Sequence, residues 1–530
     1  MTKSRDIASK QSDANNNTAY GTTALAVNTT GTGNIAIGST ALTANTIGID
    51  NIAIGRAAML TNTTGTQNTA VGRSALRLNT VGQYNIGLGN NALYNNSTGS
   101  SNTAVGFNAM LSNTIGNTNV AVGESALYSN TTGGQNVAVG AYALDVNTTG
   151  YGNTAVGFDA LTSSVSSLFN TAIGYRTLIA STTGHSNTAL GAGALLANTT
   201  GSFNVAVGRD ALVNNTIGTE NVAVGTSAQL VNTTGSYNVS LGNASLYNNT
   251  SGAANVAIGH YAMIANTIGG GNVAVGTNAL DANTTGDANV AVGRDALGSN
   301  ISGERNTAVG TAALLANTNG SYNHAFGNGA LVSNTTGVYN SAFGNSALAS
   351  NVTGSSNTAM GLSALYSCTG TGNTAIGMQA AINATTGNYN TSIGHQAYPS
   401  TNTVSGEFTL GDANVNNLRC NDTTISSLSD GRDKTDVIDS PYGLDFLNAI
   451  KVRQYKWATR DGNVKDGQTR LGFIAQELLE AADGNNDVLD LVYESNPDRL
   501  EAKYGNLIPV LAKAIQELSA KVAELEAKVN

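Results

Sequence analysis

Histidine, the side chain best suited to proton transfer near neutral pH, occurs four times in this 530-residue chain, at His185, His260, His324 and His395. All four precede Ser429. Lysine shows the reverse distribution: none lies between Lys10 and Lys434, and eight follow from Lys434 onward. The stretch after Ser429 therefore cannot build a Ser-His-Asp triad of its own. A serine nucleophile there would depend on a lysine, and lysine deprotonates a hydroxyl at neutral pH only if burial or a neighbouring cation lowers its own pKa. Cys368 and Cys420, the two cysteines, are too few and too far apart for a disulfide framework or a zinc site and read as unpaired thiols. No cofactor or metal is expected.

The elements before this stretch are written in one repeated unit. From Asn17 to Asn390 the chain reads close to N-T-A-V-G-x-x-A-L-x-x-N-T-T-G-x-x, with the opening asparagine at Asn17, Asn34, Asn51, Asn68 and onward every seventeen residues to Asn357; one unit a residue shorter leads to Asn373, and Asn390 follows. A fixed period this short predicts a mainly β, parallel β-solenoid (β-roll) shaft of 23 units, one per turn. Positions two and four are β-branched and flank a small residue at position three, alanine except at Gly87, Ser240 and Ser392. That alternation predicts a short strand whose third residue faces a cramped interior. Leucine at position nine, such as Leu42, fills the interior, and asparagines at positions one and twelve stack turn upon turn as amide ladders. Glycines at positions five and fifteen, as in Gly38 and Gly48, are expected at corners with positive φ.

At ~4.8 Å per turn such a shaft is on the order of 110 Å long, and its exposed Val, Ile and Thr stripe needs covering, which points to a homotrimer burying three stripes together. The units resemble the head repeats of trimeric autotransporter adhesins and the shafts of phage tail fibres. Aromatic residues recur at position seventeen (Tyr84, Phe169, Phe203, Tyr237, Tyr322, Tyr339, Tyr389) and position ten (Tyr94, Tyr128, Tyr247, Tyr366). They read first as ladder packing and second as a glycan-binding stripe. His324 stands at position two; if that position faces a threefold axis, three imidazoles meet there. The many N-x-T triplets follow from the Asn-Thr-Thr ladder and carry little weight as glycosylation acceptors.

After a connecting tip over residues 399–428, which contains "EFTLGDANVNNLRC", the composition becomes that of an ordinary small domain, with the chain's one tryptophan, Trp457. It runs through "TISSLSDGRDKTDVI", "GLDFLNAIKVRQYKW" and "RLGFIAQELLEAA" to "KYGNLIPVLAKAIQELSAKVAELEAKV". This succession resembles the intramolecular chaperone auto-processing domain at the end of phage tail fibres, endosialidase tailspikes and neck appendages, over residues 429–530. The resemblance implies a small α+β domain that trimerises, guides folding of the fibre before it, and then cuts itself off before the serine of a Ser-Asp pair. Carried over, the bond broken lies between Leu428 and Ser429, Ser429 is the nucleophile and Lys434 its base. Asp430 completes the pair, and Arg432 is near enough in sequence to press on the lysine. Gln476 and Glu477, in "GFIAQE", join the supporting set, although family members carry histidine where this chain has Gln476. Backbone N–H groups of a turn around Gly431 are the candidate oxyanion donors. The last helix, 505–529, reads as heptads with Ile508, Ile515, Val522 and Val529 at one core position and Leu511, Leu518 and Leu525 at the other. In isolation that choice favours two strands, and the trimer is taken from the domain it extends.

A net charge of −9 with no clustered Lys and Arg argues against nucleic acid as a partner. No apolar signal core opens the chain and no run of eighteen apolar residues occurs, so neither secretion nor membrane insertion is expected. The short N-terminal peptide, residues 1–16, leaves attachment to a virion tail or baseplate component to another part. The sequence thus reads as a trimeric phage tail fibre, made in the host cytoplasm and carried on the virion. It would bind a host-surface glycan or protein and act as a single-turnover self-cleaving endopeptidase with no external substrate. The alternative is a cell-surface adhesin or an ice- or glycan-binding solenoid with a permanent trimerisation cap.

Overall fold

The computed structural model describes residues 15–415, 429–456, 467–494, 498 and 500–529, in two compact units, Met1–Tyr339 and Asn340–Asn530. Leu428, Cys420, Trp457, most of the N-terminal peptide and the end of the expected tip lie outside the described residues. In the first unit, three-residue strands recur from Thr18–Tyr20 to His324–Phe326 and pair in parallel with a strict seventeen-residue register, Thr18 against Ile35 and Ile35 against Ile52. The sequence alternation sets this arrangement. The third-position alanines, Ala36, Ala53, Ala70 and their successors, are fully buried with Leu42, Met59 and Leu76 at position nine, while the flanking β-branched residues remain partly or largely exposed.

Two amide ladders line the inside of the coil. At position twelve, Asn45 Nδ2 donates to Asn28 Oδ1 at 2.9 Å and Asn62 Nδ2 to Asn45 Oδ1 at 2.9 Å. At position one, the backbone N–H and Nδ2 of Asn51 both donate to Asn34 Oδ1, at 3.0 and 3.1 Å, and Nδ2 also reaches Gly65 O. Asn34, Asn45, Asn51 and Asn62 are fully buried, while Asn28 in the first turn is half-buried, so each unmade bond at the buried positions would cost desolvation of a polar group. Burial also removes Asn62, which stands in an N-T-T triplet, as a glycosylation acceptor.

The glycines divide into two kinds, which corrects the expectation of positive φ at both. Gly38 has φ +133°, and a Cβ there would lie 2.6 Å from the carbonyl oxygen of Gly55 in the next turn. Gly48 has no positive φ; space alone demands glycine, since a Cβ would meet Asn45 Oδ1 and Gly65 O, each at 2.4 Å. The left-handed corners fall instead on side-chain residues at positions seven, nine and seventeen, such as Thr40 (φ 59°), Leu42 (φ 52°) and Asp50 (φ 53°). Left-handed backbone costs roughly 1–2 kcal/mol per non-glycine residue. Inter-turn bonds hold it: Thr40 N donates to Thr22 O at 2.9 Å and Leu42 N to Ala58 O at 2.9 Å.

The second unit opens with the same coil, from Ser341–Phe343 onward. The shortened turn keeps register, Thr358 pairing with Thr374, and puts Cys368 in the position-twelve ladder, where burial raises its thiol pKa. One further strand, Phe408–Leu410, pairs with Thr391–Ile393, so the coil continues into the segment expected to be tip. Glu407 there replaces the first-position asparagine and ends the ladder: its N–H donates to Asn390 Oδ1, and its carboxylate accepts from Ser400 N at 2.7 Å.

The C-terminal domain follows with helix α1 (Leu444–Ala449), antiparallel strands Arg453–Lys456 and Thr469–Gly472, α2 (Ala475–Ala482), α3 (Asn486–Leu489), a second small strand pair, Val492–Tyr493 with Glu501–Ala502, and α4 (Leu507–Val529). Its core is small: Leu478, Ala482, Leu489, Leu491, Val492, Leu507 and Val510. Helix α1 is capped from a distance, since Leu444 N donates to Glu517 Oε2 of α4 at 2.8 Å. No helix among the described residues is long and apolar enough to cross a membrane.

Candidate active site

The segment "SDGRDK" folds as one tight turn. Asp430 is the N-cap of a single 3₁₀ turn, Gly431–Asp433, its carboxylate accepting from Arg432 N at 2.9 Å, the local bond that makes aspartate a turn former. The turn closes with Asp433 N donating to Asp430 O at 3.1 Å and Lys434 N to Gly431 O at 3.4 Å. It carries the chain back on itself between residues 429 and 434. Lys434 Nζ consequently lies 2.6 Å from Ser429 Oγ, within direct proton-transfer reach, with both residues exposed in the single chain.

Arg432 is not directed at the lysine. Its guanidinium pairs with Asp430, Nε at 3.0 Å from Oδ1 and 3.1 Å from Oδ2, and Nη2 also bonds Oδ2. These bonds hold the Asp430 carboxyl below the usual aspartate range and raise the guanidinium further above its own ordinary value. The turn N–H groups of Arg432, Asp433 and Lys434 are committed as described, so the candidate oxyanion donors of this turn are the N–H groups of Asp430 and Gly431. Among the described residues nothing lies within 4 Å of a Cβ built at Gly431, and its φ is not positive.

Gln476 and Glu477 stand on α2, and no hydrogen bond or ion pair joins either to Ser429 or Lys434. Glu477 instead forms a two-pronged ion pair with Arg453, Nε at 2.8 Å and Nη2 at 2.6 Å, which ties α2 to the strand Arg453–Lys456 and lowers the Glu477 pKa. Gln476 is exposed. Within "GFIAQE", the glycine has a packing reason: a Cβ at Gly472 would lie 2.6 Å from Tyr504 Oη and 3.0 Å from Tyr455 Oη. No spacing or motif pointed to the Tyr504 phenol, which receives the Phe473 N–H at 3.2 Å.

These features define a repeat chain of parallel β-solenoid turns that carries, at its C-terminal end, a small α+β domain whose first residues form a serine–lysine pair. The peptidase family described as chaperone of endosialidase matches residues 429–487. No curated protein and no solved structure matches the chain. Its C-terminal segment is similar to that family over residues 429–487, and the solenoid before it fits a tail fibre with a C-terminal chaperone segment. The family implies self-cleavage of the serine-peptidase type.

Proposed function

We propose that this chain is a trimeric bacteriophage tail fibre or appendage protein that recognises a host surface, and that its C-terminal domain directs assembly and then leaves by one self-cleavage between Leu428 and Ser429. Ser429 Oγ attacks the Leu428 carbonyl as Lys434 takes its proton, the oxyanion being met by backbone N–H groups. Collapse breaks the Leu428–Ser429 C–N bond, Lys434 returns the proton to the freed Ser429 amine, and water hydrolyses the resulting ester to a Leu428 carboxylate and the free Ser429 hydroxyl. The observation that carries the chemistry is the 2.6 Å approach of Lys434 Nζ to Ser429 Oγ at the first residue of the matched family segment.

The α4 surface supports assembly. Leu507, Val510 and Ala514 are buried within the domain, whereas the heptad residues Ile508 (67% exposed), Ile515 (64%) and Leu525 (61%) face outward. An apolar seam of this regularity, left open by a small domain with a thin core, fits further copies of the same helix. Identical repeats offer many wrong registers, so a helper fixing register at one end speeds correct assembly, and its removal closes that route to unfolding.

Lys434→Arg tests the base. Arginine keeps the positive charge but does not give up its proton, so the expected outcome is an assembled, uncut chain; cleavage at the wild-type rate would remove Lys434 from the mechanism.

A further inference from the structure

The turns around residues 136–186 depart from the repeat in two ways at once. In the core, position twelve becomes serine in two successive turns. Ser164 Oγ bonds Ser167 Oγ, leaving Asn147 Oδ1 and Ser181 Oγ buried without partners. On the surface of the same turns, aromatic rings stand at positions six and seven, outside the columns where the sequence shows its recurrent aromatics. Tyr142 meets Phe158 edge-to-face with centroids 5.9 Å apart, and Phe158 stacks on Tyr175 at 5.8 Å and 13°. A repeat breaks its own rules where another requirement competes with folding.

The ring column stops at Tyr175. Parallel register places Ala192 and Gly193 next in line, so the next turn adds no ring to the column, and Tyr175 is 56% and Phe158 45% exposed. Carboxylates rim the column: Tyr142 Oη donates to Glu124 Oε1 at 3.4 Å, and Asp145 and Asp159 also lie close enough to help raise the Tyr142 pKa, with Glu124 the largest cause. Exposed Arg176 follows Tyr175.

We propose that the column Tyr142–Phe158–Tyr175, with Glu124 bonded to Tyr142 at one end and Asp159 next to Phe158 in the chain, forms a carbohydrate-binding face for an uncharged hexose polymer. The C–H face of a pyranose stacks on an aromatic ring, and its hydroxyls donate to carboxylates, which only accept. A nucleic acid would bring phosphates against three acids, and a flat, open face suits a chain of sugars better than a small molecule, which needs a cleft. The proposal deepens the host-surface reading and rests on it.

Titration calorimetry of the full chain with maltohexaose, cellohexaose and chitohexaose tests it. At least one binds, Tyr175→Ala and Phe158→Ala each weaken that binding about tenfold, equivalent to about 1.4 kcal/mol, and Tyr175→Phe retains it. Circular dichroism of each variant checks that the coil is intact. Failure of all three sugars to bind at millimolar concentration, or binding unchanged in the Phe158→Ala/Tyr175→Ala double variant, overturns the site. A change of sedimentation in that variant also overturns it, by making the face an interface between copies. The two readings fail separately. If bacterial cells retain wild type and double variant equally, host recognition stands and this site falls. If a hexasaccharide binds but no strain retains the chain, the site stands and host recognition falls.

Discussion

Asn232→Ala removes one rung from the middle of the position-twelve ladder. Asn232 Nδ2 donates to Asn215 Oδ1 at 2.8 Å and to Gly235 O at 3.0 Å, and its Oδ1 accepts from Asn249 Nδ2 at 2.9 Å. Three buried bonds at about 1 kcal/mol each give about 3 kcal/mol. Two neighbours keep a second partner: Gly235 O still accepts from Asn221 Nδ2, and Asn249 Nδ2 still donates to Gly252 O. Asn215 Oδ1 is stranded, and its desolvation adds about 1–3 kcal/mol, for a local cost of about 5 kcal/mol. Because each turn contacts only its neighbours, the loss is local rather than shared along the shaft. Hydrogen exchange read by mass spectrometry should show protection falling between residues 215 and 252 and unchanged beyond about two turns on either side. The wild-type chain supplies an internal comparison, since the turns holding Ser164 and Ser181 should exchange faster than their neighbours. Equal protection in wild type and variant across 215–252 would refute the ladder as the main tie between turns.

Gly225→Ala puts a Cβ 2.4 Å from Gly242 O at φ +136° and should abolish ordered folding of that turn, measured by exchange or proteolysis, whereas Gly431→Ala, with open space around it, should leave self-cleavage within about threefold of wild type by intact mass if the glycine supplies only its backbone. Because the Arg453 bonds hold Glu477 below its ordinary pKa of 4.5, the pair's contribution to stability is full above that pH and disappears as pH falls through the lowered folded value; Glu477→Gln should remove that acid limb from the unfolding profile, and an unchanged profile would refute the pair's role. Ile515→Lys and Leu518→Lys sit at exposed positions of the single chain and should cost under about 0.5 kcal/mol in a monomer but dissolve a trimer, so sedimentation equilibrium that stays trimeric would place the interface elsewhere.

Much of the solenoid is legible because each position recurs in the same environment: alanine at position three, leucine at nine and asparagine at one and twelve all lie where alternation and amide chemistry put them. The left-handed corners were hidden because Thr40 and Leu42 carry no local preference for positive φ and Asp50 only a weak one; inter-turn hydrogen bonds impose it after stacking. Gly48 looked like Gly38 in sequence, yet one answers to a neighbouring amide and the other to backbone torsion. At the site, Ser429 and Lys434 were named through the family resemblance, with the absence of any later histidine in support, and one turn brings the two, five residues apart, together. The pairing of Arg432 with Asp430, of Glu477 with Arg453, and the capping of α1 by Glu517 depend on which of several charged partners lies nearer in space. Sequence order does not encode that choice.

Intact mass spectrometry of the purified wild-type protein beside Ser429→Ala tests whether this chain cuts itself before Ser429. Self-cleavage there gives fragments of residues 1–428 and 429–530 from wild type and a single full-length mass from the variant. Full-length mass from both, in a correctly assembled trimer, would contradict it.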